Sequence, residues 1–422
     1  MLIIHHQESY MKLRGIIAML FAMACCITST GWATESLRLS EAVDRSLALS
    51  PVLGAARSDL VAVTSQAKKD GMSPQFVLTG ELENFAGSGA HSGFRSTETT
   101  LRLGRVIELG GKKEARRALG AAQIAQQDNA VALTRINVAS RTATRFIAVL
   151  AQQKRIEILE EKVRLANSIR REVAGWVTAA RNPVSDLHAA EIALADAKLA
   201  LETAKSRLQM TRITLAASWG STRADFYDVI GDLHTFPPVE SFEVLAQRLP
   251  ASLAMQSASL ETRTLTAQRQ LAISSSKPDI DLSFGVRRLE EVNDHALVMS
   301  VSIPLGSKPR ATLAITGASA QMEAARMRHE AYESETYQTL FATWNELAQA
   351  RQEYEAVSAS MIPKAEQALA VSRKGFNTGR FSFLSLAEAQ GTLFSLRMRS
   401  IDAAERYHTL LVEIERLTAL PQ

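Results

Sequence analysis

The residue types that most often do chemistry are present in this sequence, but their spacing does not assemble them. His91, His188, His234, His295, His329 and His408 lie far apart, and no HExxH run sets two of them on one helix face around a zinc ion. No GxSxG elbow and no P-loop occurs. The glycines of ELGGKK, residues 108–113, miss the spacing that lets successive backbone N–H groups cradle a phosphate. Carboxylates are distributed along long helix-forming segments, as on a solvated face, and not paired for acid–base work. The sequence therefore predicts no enzyme, no resident metal and no cofactor.

Two glycine-bearing stretches have spacing that asks for another explanation. GFNTGRFSFLSLAEAQ, residues 375–390, places Gly375 and Gly379 four apart, with an aromatic run and a new helix following. GWVTAARNPVSDLHAAE, residues 175–191, is a looser copy in which Ala179-Ala180 stands opposite Gly379. Glycine stops helices, and it also lets another backbone approach closely. Gly175, Val177, Gly375, Thr378, Gly379 and Ser382 are the candidate contact residues of these turns. Arg181 and Arg380 are candidates for shaping the field of an opening.

The surrounding chain sets the context. It has 422 residues, with 48 basic against 44 acidic side chains spread along it. No basic patch marks a nucleic-acid partner. Met11-Lys12-Leu13-Arg14 opens a basic region, Gly15 to Ile27 is apolar, and Gly31-Trp32-Ala33 offers small residues for a signal peptidase. This is the pattern of an export signal, residues 1–33, with Met1 or Met11 as its start. The apolar run is shorter than the roughly 20 residues a spanning helix needs. Cys25 and Cys26 are the only cysteines and both lie in that signal, so a disulfide in the exported chain is excluded. Cys25 is also a weaker candidate for lipidation.

The chain reads as a duplication, with repeats at about 34–237 and 238–422. Gly175 aligns with Gly375, Leu187 with Leu386, and Ala190-Glu191 with Ala389-Gln390. PQFVLTGELE at 74–83 aligns with PDIDLSFGVR at 278–287, and LRLGRVIELGGKKEAR at 101–116 with LVMSVSIPLGSKPRAT at 297–312. Each repeat begins with a helix; the first is expected at about 38–68 with Pro51 inside it. Strands are expected at about 74–85, 97–108, 277–288 and 295–304, because apolar side chains alternate there with period two. Their length suits a tilted membrane strand. Four strands cannot close a wide barrel, and open edges are not tolerated in lipid, so spanning strands would need several protomers to share one barrel.

Helical hairpins are expected at about 111–219 and 310–420. Leu187, Ala190, Leu194, Ala197, Leu201, Ala204, Leu208, Thr211 and Leu215 alternate spacings of three and four, a coiled-coil seam. Leu386, Ala389, Leu393, Leu396, Ser400, Ala403, Tyr407, Leu410 and Ile414 repeat it. The outgoing helix of the first hairpin is much longer than its return, about 184–219. The first helix of the repeat would fill the gap by stacking end to end with that return. The result is a long rod with strands at one end and the glycine turns at the other.

Signal, helix, two strands, long hairpin, and then all of it again resembles the outer membrane factors, the TolC family. The pieces that carry the resemblance are LSEAVDRSLALSP at 39–51, IELGGKKEARR at 107–117, SIPLG at 302–306 and RKGFNTGRFSFLSLAEAQ at 373–390. The IELGGKK and SIPLG pieces are most similar to the cobalt-zinc-cadmium branch. The resemblance implies a mixed α and membrane β fold: a homotrimer in which each protomer gives four strands to a 12-stranded outer-membrane β-barrel, continued by a long periplasmic α-helical coiled-coil barrel. It implies outer-membrane lipid, a periplasmic adaptor and an inner-membrane pump of the resistance-nodulation-division type as partners. The function implied is the exit duct of a tripartite efflux system, with heavy-metal cations as expected cargo. Drug or organic solute efflux, protein secretion and an exported structural coiled coil are the alternatives. The glycine turns would form the periplasmic tip, where an adaptor docks.

Overall fold

The computed structural model describes residues 36–421. The expected export signal, residues 1–33, and Cys25 lie outside the described residues. In chain order the regular elements are β1 (Leu37–Arg38), α1 (Leu39–Leu49), α2 (Pro51–Asp70), β2 (Phe76–Glu83), β3 (Glu98–Ile107), α3 (Lys112–Thr178) and α4 (Val184–Ala216). Then come β4 (Val229–Ile230), α5 (Phe242–Arg248), α6 (Leu253–Ser274), β5 (Ile280–Leu289), β6 (Asp294–Ser302), α7 (Ser307–Ala356), α8 (Ile362–Asn377) and α9 (Phe383–Leu417).

The long helix α3 has 67 residues, about 100 Å at 1.5 Å per residue. It starts directly after Gly110 and Gly111, both left-handed at φ 81° and 72°. Two successive residues at positive φ turn the chain sharply out of β3, a conformation glycine adopts at no steric cost. Both α2 and α4 pack along α3, so the short first-repeat helices share the length of the long one. Their junction lies where Pro51 approaches Gly220, at which a side chain would come within 3.0 Å of the proline ring.

The helix expected over 38–68 is two helices. Ser50 has extended backbone at φ −61° and ψ 122°, and Pro51 begins α2. Proline has no N–H to give and a φ already suited to a first turn, so it starts a helix where the sequence reading placed it inside one. The second hairpin also departs from a continuous outgoing helix. A π-helical turn, Val357–Met361, joins α7 to α8, just before Pro363. Proline would leave the carbonyl of Ala359 without its N–H partner and press its ring on that oxygen, and the wider turn relieves both. The return helix α4 ends at Ala216 and passes through a 3-10 turn, Ala217–Trp219.

Every seam position named from the spacing is buried or half-buried. Two clusters of buried side chains lie beside the segment that links the two hairpins. Leu37, Phe146, Trp219, Phe226, Val229 and Ile401 lie in one cluster, and Phe242, Leu245, Leu340, Leu347, Tyr407 and Ile414 in a second. The segment between repeats is fastened there: β4 pairs in parallel with β1, and the Tyr407 hydroxyl donates to the carbonyl of Pro237 at 2.5 Å.

Candidate functional site

The four longer strands form one antiparallel sheet in the order β2-β3-β5-β6. Each repeat supplies a hairpin, and β3 joins β5 from Glu98↔Leu289 to Ile107↔Ile280. Register assigns every side chain to a face. Leu78, Leu103, Phe284 and Met299 form one cross-strand row, and Gly80, Leu101, Val286 and Leu297 the next. These rows are uncovered: Leu78 is 72% exposed and Leu297 89%. Charges on this face stand at its margins. Arg105 sits 4.9 Å from the Phe76 ring centroid at the helix end, and Arg288 pairs with Glu290 at the loop end.

The opposite face is polar and internally paired. Arg102 meets Glu81 at 2.8 Å. Arg287 bridges Glu98 at 2.7 Å and Glu83 at 3.3 Å, and its Nε donates to Thr100 at 3.0 Å. Gly285 has to be small, because a Cβ there would lie 2.2 Å from the carbonyl oxygen of Leu101. A sheet of eight- to ten-residue strands, apolar across one face and hydrated on the other, has the chemistry of a barrel wall between lipid and water. Its outer strands, β2 and β6, each have one unpaired edge in the chain.

At the barrel-to-rod junction, the IELGGKK segment is tied down. Lys112 meets Asp279 at 2.7 Å. Arg116 pairs with Glu108 and donates to the carbonyls of Asp70 and Met72. These contacts join the ends of α2 and β3 and the starts of α3 and β5, which accounts for the basic residues after the two glycines.

The two glycine turns meet at the far end of the rod. Both close their helices in the same way. Gly379 N donates to Phe376 O and Arg380 N to Gly375 O, at 3.0 and 2.8 Å; Ala180 N donates to Val177 O and Arg181 N to Trp176 O, at 3.0 and 2.8 Å. This is the Schellman arrangement, with Gly379 left-handed at φ 73° and Ala180 at φ 52°. Gly375 is buried beneath Phe381, whose ring would lie 2.2 Å from a Cβ at that position; a Cβ at Gly175 meets nothing within 4 Å. Thr378 Oγ1 donates to the carbonyl of Gly375 at 3.1 Å. Ser382 caps α9, its hydroxyl accepting from Ser385 N at 3.3 Å. Val177 is half-buried against the tip cluster, while Arg181 and Arg380 are exposed.

Spacing alone did not single out what holds the turns together. Trp176 stacks on Phe376, with ring centroids 4.8 Å apart and planes 19° from parallel. Ile169, Val173, Ala190, Phe383 and Leu386 surround the stack, and Arg373 pairs with Glu172 across the hairpins. A signal was present, since Gly-Trp at 175–176 and Gly-Phe at 375–376 repeat a glycine–aromatic pair. Among the described residues, no group of three or more His, Cys, Asp or Glu could hold a metal ion.

Residues 244–420 match the family described as outer membrane efflux protein. A membrane protein from Pseudomonas aeruginosa has the same fold, with a TM-score of 0.78 at 15% identity over 94% of each chain. The fold is that of solved outer-membrane channels. The solved structure of CusC shares this channel fold with a TM-score of 0.77 at 14% identity, over 94% of this chain and 96% of that one. In sequence, the chain is 27% identical over 326 residues to the cobalt-zinc-cadmium resistance protein CzcC of Cupriavidus metallidurans, covering 76% of this chain and 78% of that protein. Both solved structures share the architecture described above, a four-stranded sheet at one end of a long helical body.

Proposed function

We propose that this chain is the outer-membrane exit duct of a tripartite efflux system, acting as a homotrimer. The observation that carries the proposal is the pairing of two ends. One end is a sheet with an uncovered apolar face and unpaired edges, which lipid and neighbouring protomers would satisfy. The other is a pair of stiff helical turns about 100 Å of helix away. An adaptor protein contacts the tip through Gly175, Val177, Gly375, Thr378, Gly379 and Ser382. Arg181 and Arg380 line the opening there. Energy comes from an inner-membrane pump, of the resistance-nodulation-division type, and the duct conducts what that pump delivers.

Two cargo classes follow from different observations. Heavy-metal cations are suggested by the names of two relatives, the cobalt-zinc-cadmium resistance protein and, at 23% identity, a nickel-cobalt-cadmium resistance protein of Alcaligenes xylosoxydans xylosoxydans. Structural likeness does not decide the cargo, since the outer-membrane channel OprN, at a TM-score of 0.76, is as similar as CusC at 0.77. Because the metal reading rests only on the names of relatives 27% and 23% identical, we place efflux of drugs and other organic solutes ahead of metal export. Deletion of the gene, followed by growth across rising zinc, cadmium, cobalt, nickel, copper and silver beside dyes and detergents, tests both. Sensitivity to organic compounds, restored by the wild-type gene, is the expected result. Sensitivity to metals alone would reverse the order of the two cargo classes, and no sensitivity to either would count against the efflux duct.

A further inference from the structure

The two ends of the rod carry charge of opposite sign. On the polar face of the sheet, Glu81, Glu83 and Glu98 outnumber Arg102 and Arg287, with which they form ion pairs. At the tip the balance reverses. Residues 169–187 and 369–386 contain Arg170, Arg171, Arg181, Arg373, Lys374 and Arg380, against Glu172 and Asp186 alone. Four positive charges are left over in each protomer, as many as the formal net charge of the whole chain, +4.

Both of those carboxylates are already engaged. Glu172 accepts from Arg373 and, at 3.2 Å, from Ser168, and Asp186 accepts from Asn182 at 2.8 Å. Arg170, Arg171, Arg181, Lys374 and Arg380 have no ion-pair partner among the described residues. The next carboxylates along the rod are Glu191, 3.4 Å from His188, and Glu388. Helix ends do not offset the excess. The tip holds the C-termini of α3 and α8 and the N-termini of α4 and α9, whose partial charges oppose one another.

Two of the free cations stand in equivalent places. Arg181 and Arg380 each follow the left-handed residue of a Schellman turn and donate a backbone N–H at 2.8 Å, to Trp176 and Gly375. Both side chains are exposed, in the connections between the hairpin helices. In the trimeric duct proposed above, on which this inference rests, the two turns of each protomer bring their guanidinium groups around one opening. Rings of arginine or lysine favour anions in a pore. Their field reaches about 8 Å at physiological ionic strength, so it acts where the opening is narrowest and not along the wide rod. A divalent cation meets about twice the repulsion of a monovalent one.

We propose that Arg181 and Arg380 make the tip an anion-preferring entrance, which admits organic anions most readily and disfavours free divalent metal cations. The full-length protein, purified and placed in planar lipid bilayers, gives the test through reversal potentials in gradients of potassium chloride, potassium acetate and magnesium chloride. In the wild type, chloride and acetate should each pass ahead of potassium by at least about twofold, and magnesium behind it. Arg181→Gln with Arg380→Gln should remove the preference, and Arg181→Lys with Arg380→Lys should restore it. Arg223→Gln, which removes an exposed cation from the segment between repeats, is the control. A wild type that prefers cations, or a preference that survives the double Gln variant, would overturn the proposal and leave the duct standing. A trimer that passes neither ion would overturn it too, because such an entrance must admit anions. Light scattering separates failure of the duct itself: a protein that is monomeric in detergent and gives no conductance would sink that reading and this inference with it.

Discussion

The two helical hairpins share one plan, yet the same turn is built at different conformational cost. In the second hairpin, Gly379 takes the left-handed position, and Gly375 leaves room for Phe381 to fold down over the helix end. In the first, Ala180 takes the left-handed position, and Gly175 faces open space. The outgoing helices differ in the reverse sense. The first, α3, is unbroken over 67 residues, whereas α7 and α8 are separated by a π turn ahead of Pro363. The first hairpin thus combines a continuous stem with a strained turn, and the second an interrupted stem with a relaxed, aromatic-covered turn. The Trp176–Phe376 stack joins the two, so neither tip is independent of the other.

Breaking that stack should have the largest effect. Phe376 is 1% exposed, and Phe376→Ala should cost about 3–5 kcal/mol, as deletion of a buried aromatic usually does. Trp176 is only half-buried, and Trp176→Ala should cost less, about 2 kcal/mol. The double variant should fall short of the sum by about 0.5–1.5 kcal/mol, the coupling of an aromatic pair. Denaturant unfolding followed by far-UV circular dichroism measures all three. Strict additivity would mean that the two turns are stabilised separately.

The paired glycines sharpen the contrast next. Gly375→Ala forces the Phe381 ring off the helix and should destabilise by about 1–3 kcal/mol. Gly175→Ala has space for its methyl and should stabilise by about 0.5–1 kcal/mol through helix propensity. Opposite signs at these two glycines, which the turn hydrogen bonds set one position apart, are the expected outcome, read by thermal melting. Equal effects would remove the distinction between a covered and an open turn. The left-handed positions give the converse pair: Gly379→Ala should cost about 1–2 kcal/mol, and Ala180→Gly should gain about 1 kcal/mol.

These aligned positions also show what could be read without coordinates. Seams from Leu187 to Leu215 and from Leu386 to Ile414 were legible because burial in a helical hairpin repeats every three or four residues. The strands were legible because one face is apolar and the other hydrated, and the turns because glycine is needed where φ is positive. Ala180 shows the limit of that last rule, since the hairpin holds an alanine in the conformation that Gly379 adopts freely. The break at Ser50 is hidden from the spacing because Pro51 reads as a residue within a helix, and the π turn because Pro363 leaves the heptad spacing intact. Proline's actual effect depends on which carbonyl it leaves unpartnered. The order β2-β3-β5-β6, the parallel pair of β1 and β4, and the Trp176–Phe376 stack join residues more than a hundred positions apart in most cases. No local period records such contacts.

The smallest effect concerns acid, and it too should divide the hairpins. His408 on α9 aligns with Gln209 on α4, which is exposed. The His408 imidazole meets the carbonyl of Leu233 at 3.1 Å and so helps hold the segment between repeats. Burial pushes its pKa below the ordinary histidine value, opposed in part by the hydrogen bond to Leu233 and by the Asp232 carboxylate; His234 adds to the lowering. The unfolded chain, with its histidine near 6.5, then binds a proton more readily than the folded one. Stability from this group is therefore present above about pH 6.5 and is lost as pH falls from there through the lower folded-state value. Amide exchange in 228–241 and the facing part of α9 should quicken over that window, while the corresponding part of α4 holds steady. His408→Gln keeps a donor for Leu233 without the titration, so it should flatten the pH dependence and leave exchange at neutral pH little changed. Acceleration that survives this substitution would assign the acid response to another group and leave the two hairpins alike in this respect.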